Sequence, residues 1–142
     1  IKALAGYEGV SMRQQIVDDK GVTLIDDSYN ASPDSMKAGI DVLCSYDNSG
    51  RKIAVLADML ELGDKSVDYH KEVGEYMAGK KIDELILFGT MAANIGEGFN
   101  GSYKLFKTRK EINAARKLMQ LKAAAARRTV KRKPEAAARK LK

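Results

Sequence analysis

The sequence is poor in the residues that build disulfides and metal sites, with one cysteine, Cys44, and one histidine, His70, in 142 residues. A single cysteine cannot form an internal disulfide, and this pair falls short of the four ligands of a structural zinc site. Long apolar runs are also missing, since the runs at 53–57 and 85–88 are far shorter than the roughly 20 residues that span a bilayer. No charged-then-apolar leader is visible, and we therefore expect a cytoplasmic protein.

A phosphate-binding loop with the expected sequence and context is missing as well. The sequence contains no G-x-x-x-x-G-K-[ST], in which a glycine-rich loop cradles phosphates. The pattern G-x-G-x-x-G does occur, as Gly96-Glu97-Gly98-Phe99-Asn100-Gly101, but it follows a predicted helix rather than a strand and so lacks the context of a dinucleotide-binding loop. We expect this chain by itself not to hydrolyse ATP.

The net charge of +6 averages two unlike parts of the chain. Residues 107–142 hold 14 of the 25 Lys and Arg but only two acids, so residues 1–106 are mildly acidic. The basic part is rich in alanine and is interrupted by Pro134, which favours a helical or disordered tail. A nucleic-acid or polyanion binder acting through this tail is one hypothesis. Against it, the tail has no aromatic residue to stack on bases, and the acidic body would repel a phosphate backbone.

The stretch from Val22 to Met36 is the most informative. An apolar run ends in Asp26 and Asp27, a polar loop follows, and Ser32-Pro33 has the pattern of a helix start. In open α/β sheets, ligands bind at the carboxyl ends of strands, so residues 26–30 are the expected place for a small-molecule site. The alternative is an ordinary strand-to-helix connection in which Asp and Asn only form turns.

The remaining periodicity predicts alternating strands and helices. The fold class that follows is α/β: a Rossmann-like, mostly parallel sheet with helices on both faces, preceded by a β-hairpin. The run at 53–57 is continuously apolar, and that at 84–88 is apolar after Glu84, so both are predicted to be strands covered on both faces. The predicted elements are a hairpin over 13–25, helices over 33–46, 66–77 and 91–95, strands over 53–57, 84–88 and 103–106, and a loop over 96–101.

Two segments carry a resemblance to a known family. IDDSYNASPDSM at 25–36 and RKIAVLADMLELG at 51–63, followed by His70, resemble the C-terminal domain of the Mur ligases. Within that family they resemble the ligase that adds D-alanyl-D-alanine to UDP-N-acetylmuramoyl-tripeptide in peptidoglycan precursor synthesis. The resemblance implies an ATP-dependent reaction through an acyl phosphate. ATP and Mg would be bound mainly by a central domain, so this chain alone would form no amide bond.

The resemblance also implies roles for individual residues. Arg13 falls where the family has an arginine near the γ-phosphate, and Asp27 where it has an acid near the ribose; the alternatives are a solvated hairpin charge and a turn-forming Asp. No catalytic or metal-binding residue is assigned, and His70 is interpreted as a structural helix residue. The full set is Arg13, Asp27, Tyr29 and Asn30 for ATP, with Ser28, Asp58 and Glu61 on the amino-substrate side or in domain closure.

The resemblance divides the chain into two parts. Residues 1–106 are predicted to be the Mur ligase C-terminal domain, and 107–142 a basic tail that is not family-like beyond about 120. The Lys-Gly-Ser-Arg-like run that ends the family's pattern is not found after Phe106. The expected partners are the two substrates and the N-terminal and central ligase domains. A free-standing module that binds another nucleotide is a further hypothesis.

Overall fold

The computed structural model describes residues 12–19, 21–47, 50–111 and 113–114. The chain divides between Leu105 and Phe106 into two units. Most of the predicted basic tail lies outside the described residues, and the predicted domain assignment stays a prediction. No helix in the described ranges has the length and apolarity needed to cross a membrane.

The described part of the first unit begins with the predicted β-hairpin. Strands β1 (Gln15–Asp19) and β2 (Val22–Asp26) pair antiparallel, with Gln15 opposite Asp26 and Asp19 opposite Val22. Gly21 has a φ of 81°, in the left-handed region that glycine adopts without steric cost, which suits the tight turn. The hairpin therefore leads the chain directly into the loop that follows Asp26.

The main sheet has three strands in the order β3-β4-β5, formed by Ile53–Ala57, Glu84–Phe88 and Tyr103–Phe106. Strands β3 and β4 are parallel, with Ile53 opposite Glu84 and Ala57 opposite Phe88. The helices that flank the sheet are α1 (Pro33–Ser45), α2 (Ser66–Met77) and α3 (Ala93–Phe99), and a short 3-10 helix (Gly63–Lys65) precedes α2. The predicted α/β fold with its preceding hairpin is confirmed.

Helix α1 starts where the sequence predicts. The hydroxyl of Ser32 accepts the backbone N–H of Ser35, and the hydroxyl of Ser35 accepts the backbone N–H of Ser32. This reciprocal pair satisfies two N–H groups that the first helical turn leaves without partners. Pro33 occupies the first helical turn, where its missing N–H costs nothing.

The core lies between the sheet and the helices, and β4 is its most buried strand. β4 fits the prediction of a strand covered on both faces, but β3 departs from it, because Val55 is 60% exposed. Ala54 and Leu56 of β3 face the core, and no described element covers the opposite face of this edge strand. The buried cluster consists of Met36, Ile40, Ala54, Met59, Val73, Met77, Leu85, Leu87, Ala92 and Ile95.

Helix α3 is the clearest difference from the sequence prediction. A helix over 91–95 and a loop over 96–101 were expected, but α3 runs from Ala93 to Phe99 and includes two glycines. A Cβ at Gly98 would lie 2.2 Å from the carbonyl oxygen of Lys71 in α2, so glycine allows the two backbones to touch. Tertiary packing thus overrides the low helix propensity of glycine.

Candidate functional site

The loop after β2 is shaped by short-range hydrogen bonds. Oδ1 of Asp26 accepts the backbone N–H of Ser28 at 3.1 Å and its hydroxyl at 2.6 Å. Oδ1 of Asn30 accepts the backbone N–H of Ala31 at 2.9 Å, just ahead of α1. Asp26, Ser28 and Asn30 therefore use their side chains at least partly to form turns, which is the structural role that the alternative interpretation gave them.

Longer-range contacts tie this loop to the segment before β1. Oδ1 of Asp27 accepts the backbone N–H of Gln14 at 3.2 Å, and the N–H of Tyr29 donates to the carbonyl of Met12 at 3.1 Å. The guanidinium carbon of Arg13 lies 4.4 Å from the centroid of the Tyr29 ring. The structure thus brings the predicted nucleotide residues Arg13, Asp27 and Tyr29 to one end of the hairpin.

The chemistry available at this end is an exposed cation, Arg13, on a segment whose backbone is hydrogen-bonded to the carboxylate of Asp27. The guanidinium of Arg13 can pair with two oxygens of a phosphate at once. A carboxylate such as that of Asp27 accepts hydrogen bonds from the vicinal hydroxyls of a ribose. A ligand that carries both groups would suit the pair, and the individual roles stay predictions.

A second loop follows β3, and the side chain of its first residue, Asp58, binds the loop that follows β4. Oδ1 of Asp58 accepts the backbone N–H of Ala92 at 2.7 Å, and Oδ2 accepts that of Thr90 at 3.1 Å. Gly89 permits this contact, because a Cβ there would lie 2.2 Å from Oδ1 of Asp58. Asp58 therefore joins the carboxyl ends of β3 and β4.

The rest of this loop projects from a fixed base. The side chain of Met59 is buried, whereas that of Leu60 is 76% exposed and Glu61 has a left-handed φ of 61°. Among the described residues, no hydrogen bond or ion pair joins this loop to the one that contains Ser28. The predicted amino-substrate or closure role of Ser28, Asp58 and Glu61 stays a prediction.

His70 anchors the base of the second loop, a role that the sequence did not reveal. Its ring is fully buried in α2, Nδ1 lies 2.6 Å from the carbonyl of Ser66, and Nε2 accepts the backbone N–H of Met59 at 3.0 Å. This pattern assigns the proton to Nδ1 and a neutral ring. The structural interpretation of His70 is confirmed, and its spacing of four residues from Ser66 was the available signal.

The charged groups with shifted pKa values lie elsewhere. A hydrogen bond from Lys104, aided by Arg51, lowers the pKa of Glu84 at the amino end of β4. Hydrogen bonds from Lys80 and from Tyr76 likewise lower the pKa of Asp41 on α1. Both are ion-pair networks that link structural elements.

Within the described ranges, no group of three or more His, Cys, Asp and Glu side chains is arranged to hold a metal ion. The residues of this part of the chain therefore form no three-ligand cluster for the magnesium that the resemblance implies. No reaction step through magnesium follows from them.

Comparison with known proteins identifies a family that matches most of the chain. Residues 12–130 match the family described as Mur ligase, glutamate ligase domain, so the match extends past the predicted boundary at 106. A curated relative, the UDP-N-acetylmuramoyl-tripeptide–D-alanyl-D-alanine ligase of Bacillus subtilis, is 44% identical over 98 residues. That alignment covers 68% of this chain and 21% of the relative, so the chain spans about a fifth of its length.

Solved structures are similar in fold as well. A crystal structure of MurF from Acinetobacter baumannii matches with a TM-score of 0.74 and 31% identity, over 84% of this chain and 27% of that one. The MurF ligase of Thermotoga maritima in complex with ADP matches with a TM-score of 0.62 and 27% identity, over 90% of this chain and 34% of that one.

Proposed function

The chain belongs to the Mur ligase family, and we propose that it acts as the C-terminal domain of an ATP-dependent ligase that joins D-alanyl-D-alanine to UDP-N-acetylmuramoyl-tripeptide. The name of the curated relative from B. subtilis supports this substrate pair. The proposal includes the cytoplasm as the place of action and the N-terminal and central ligase domains as partners.

The observation that carries the proposal is the cluster at the end of the hairpin. Arg13 and Tyr29 stack at 4.4 Å, and Asp27 bonds to the residue next to Arg13. In the proposed role, Arg13 binds the γ-phosphate of ATP and Asp27 the ribose, with Tyr29 and Asn30 beside the nucleotide. The ADP bound to the T. maritima relative supports a nucleotide as the ligand class.

The proposed reaction needs more groups than the described residues supply. ATP phosphorylates the tripeptide carboxylate, the amine of D-alanyl-D-alanine attacks the acyl phosphate, and phosphate leaves as the amide bond forms. The contribution of this chain is to hold the nucleotide phosphates with a fixed cation, which also neutralises charge as the γ-phosphoryl group transfers. The other ligase domains would contribute the rest of the site, including magnesium.

The binding step can be tested on the 142-residue chain by NMR titration with ATP. We expect the backbone signals of 12–14 and 26–30 to shift, and Arg13→Gln to weaken binding. Lys71→Gln is a matched control, because Lys71 pairs with Glu97 on the α2–α3 side. Shifts confined to other regions, or equal binding by Arg13→Gln, would contradict the proposal.

The full activity can be tested in a chimera. The matching segment of the B. subtilis ligase is replaced by this chain, and ADP release is measured with both substrates, with each alone and with neither. We expect release to require both substrates and to drop when Arg13→Gln is introduced. The alternative of a nucleic-acid binder has no support from the comparisons, and its tail lies mostly outside the described residues.

A further inference from the structure

The backbone on both sides of Arg13 adopts an unusual conformation. Met12 has a φ of 60° and Gln14 a φ of 46°, so two residues that are not glycine lie in the left-handed region. Such residues are uncommon there, and they keep the conformation only when surrounding contacts impose it. Met12 and Gln14, on either side of Arg13, must therefore be held by contacts with other residues.

The contacts that hold this backbone come from one loop. The N–H of Tyr29 donates to the carbonyl of Met12, and the N–H of Gln14 donates to the carboxylate of Asp27, at 3.1 and 3.2 Å. The residues before and after Arg13 are thus each bonded to the 26–30 loop. The position of the Arg13 Cα is fixed from both sides.

The side chain of Arg13 has a third contact, with the ring of Tyr29. The guanidinium carbon lies 4.4 Å from the ring centroid, within the range of a cation–π interaction. Because the backbone of Tyr29 is hydrogen-bonded to that of Met12, the position of the ring is fixed relative to the backbone of Arg13. A guanidinium that stacks through its flat face keeps its N–H groups, which lie in the plane, free to pair with two oxygens of an anion.

We propose that Tyr29 is a positioning residue that presents the guanidinium of Arg13 to the terminal phosphate of a nucleoside triphosphate, with Asp27 bracing the same backbone. This inference rests on the proposed function and gives Tyr29 a role through Arg13 rather than through the base. Preorganising the side chain reduces the conformational entropy lost on binding. The benefit should therefore appear for ATP and not for adenosine, which has no phosphate.

The test compares ATP and adenosine binding to the full chain by NMR titration for the unchanged protein and for Tyr29→Leu, Tyr29→Phe and Arg13→Gln. We expect Tyr29→Leu to weaken ATP binding about two- to fivefold, the size of an exposed cation–π contact. Tyr29→Phe keeps the aromatic face and should retain ATP binding. Adenosine binding should be the same in all four proteins.

A second readout does not depend on any variant folding. In the unchanged chain, the aromatic ring should shift the side-chain proton signals of Arg13 upfield. Unshifted Arg13 signals in the unchanged chain would overturn the inference. So would a Tyr29→Leu protein that binds ATP normally while Arg13→Gln does not, and this outcome would leave the proposed function standing.

Two other outcomes are distinct. If Tyr29→Leu weakens the binding of adenosine and of ATP equally, Tyr29 contacts the nucleoside itself and the positioning role is wrong. If neither Arg13→Gln nor Tyr29→Leu changes ATP binding, the proposed function fails and the inference fails with it.

Discussion

The backbone N–H of Met59 donates a 3.0 Å hydrogen bond to Nε2 of His70, in a region where both the histidine ring and the methionine side chain are buried. Since Nδ1 of the same ring contacts the carbonyl of Ser66, the imidazole links the loop after β3 to the first turn of α2. The exposed Leu60 and Glu61 thus project from a loop whose base is fixed. A histidine in this environment serves the structure of the loop rather than proton transfer.

The first prediction concerns this histidine. His70→Phe keeps the bulk of the ring but removes the acceptor, which leaves the N–H of Met59 buried without a partner. We expect the free energy of unfolding to fall by about 1–3 kcal/mol, the cost of an unsatisfied buried donor. Urea unfolding would measure the change, with the exposed Glu75→Gln on the same helix as the control. Equal stability of both variants would show that the bond contributes little.

The second prediction concerns the contact between α2 and α3. A Cβ at Gly74 would lie 2.0 Å from the carbonyl oxygen of Ile95, and a backbone atom cannot move aside as a side chain can. Gly74→Ala should therefore destabilise the protein by about 1–3 kcal/mol or more. Gly39→Ala on α1 is the matched control, since its nearest neighbour is 3.5 Å away.

In that control, alanine should be neutral or should stabilise α1 by up to about 1 kcal/mol, because alanine favours helix over glycine. Thermal unfolding of both variants is a sufficient measurement. The packing argument would be wrong if Gly74→Ala melted at or above the temperature of Gly39→Ala.

The third prediction concerns pH. The pKa of Glu84 lies below its usual value of 4.5, because Lys104 and Arg51 bond to the carboxylate. Because the pKa of Glu84 is lower in the folded state than in the unfolded state, its ionised carboxylate stabilises the fold at a pH above the unfolded-state pKa. This stabilisation is lost as the pH falls below 4.5. Glu84→Gln should therefore be less stable than the unchanged chain at pH 7, by about 1 kcal/mol or less because both basic partners are exposed.

The difference should shrink below pH 4.5 and also at high salt, which screens exposed charges. Urea unfolding across a pH series would reveal this convergence. A stability difference that stays constant from neutral to acidic pH would indicate that Glu84 acts through packing alone.

The fourth prediction separates two roles of Asp27. Asp27→Asn keeps an oxygen that can accept the N–H of Gln14 but removes the charge, whereas Asp27→Ala removes both. If Asp27 binds ribose, the Asp27→Asn variant should bind both ATP and adenosine about tenfold more weakly, because a charged hydrogen bond is lost. The Asp27→Ala variant should bind ATP more weakly still, because the backbone beside Arg13 loses its hydrogen bond to residue 27. NMR titration with both ligands would measure this, and unchanged adenosine binding by the Asn variant would contradict the ribose role.

Much of the fold could be predicted because its signals are local. The apolar runs of β3 and β4 and the Ser32-Pro33 helix start give the bounds of these elements closely. The extent of helix α3 beyond residue 95 could not be predicted, since its glycines are explained only by contact with α2. The open face of β3 was missed for a similar reason, because an apolar run does not reveal whether a second layer covers it.

The sequence by itself determined the order of strands and helices, the family, and the candidate residues of the loop at 26–30. Only the tertiary structure decided what these residues touch. Asp58 bonds to a loop more than thirty residues away, His70 holds the backbone of Met59, and Arg13 stacks on Tyr29. Propensity and capping depend on neighbours in the chain, whereas these partners are selected by packing in three dimensions, which no local pattern encodes.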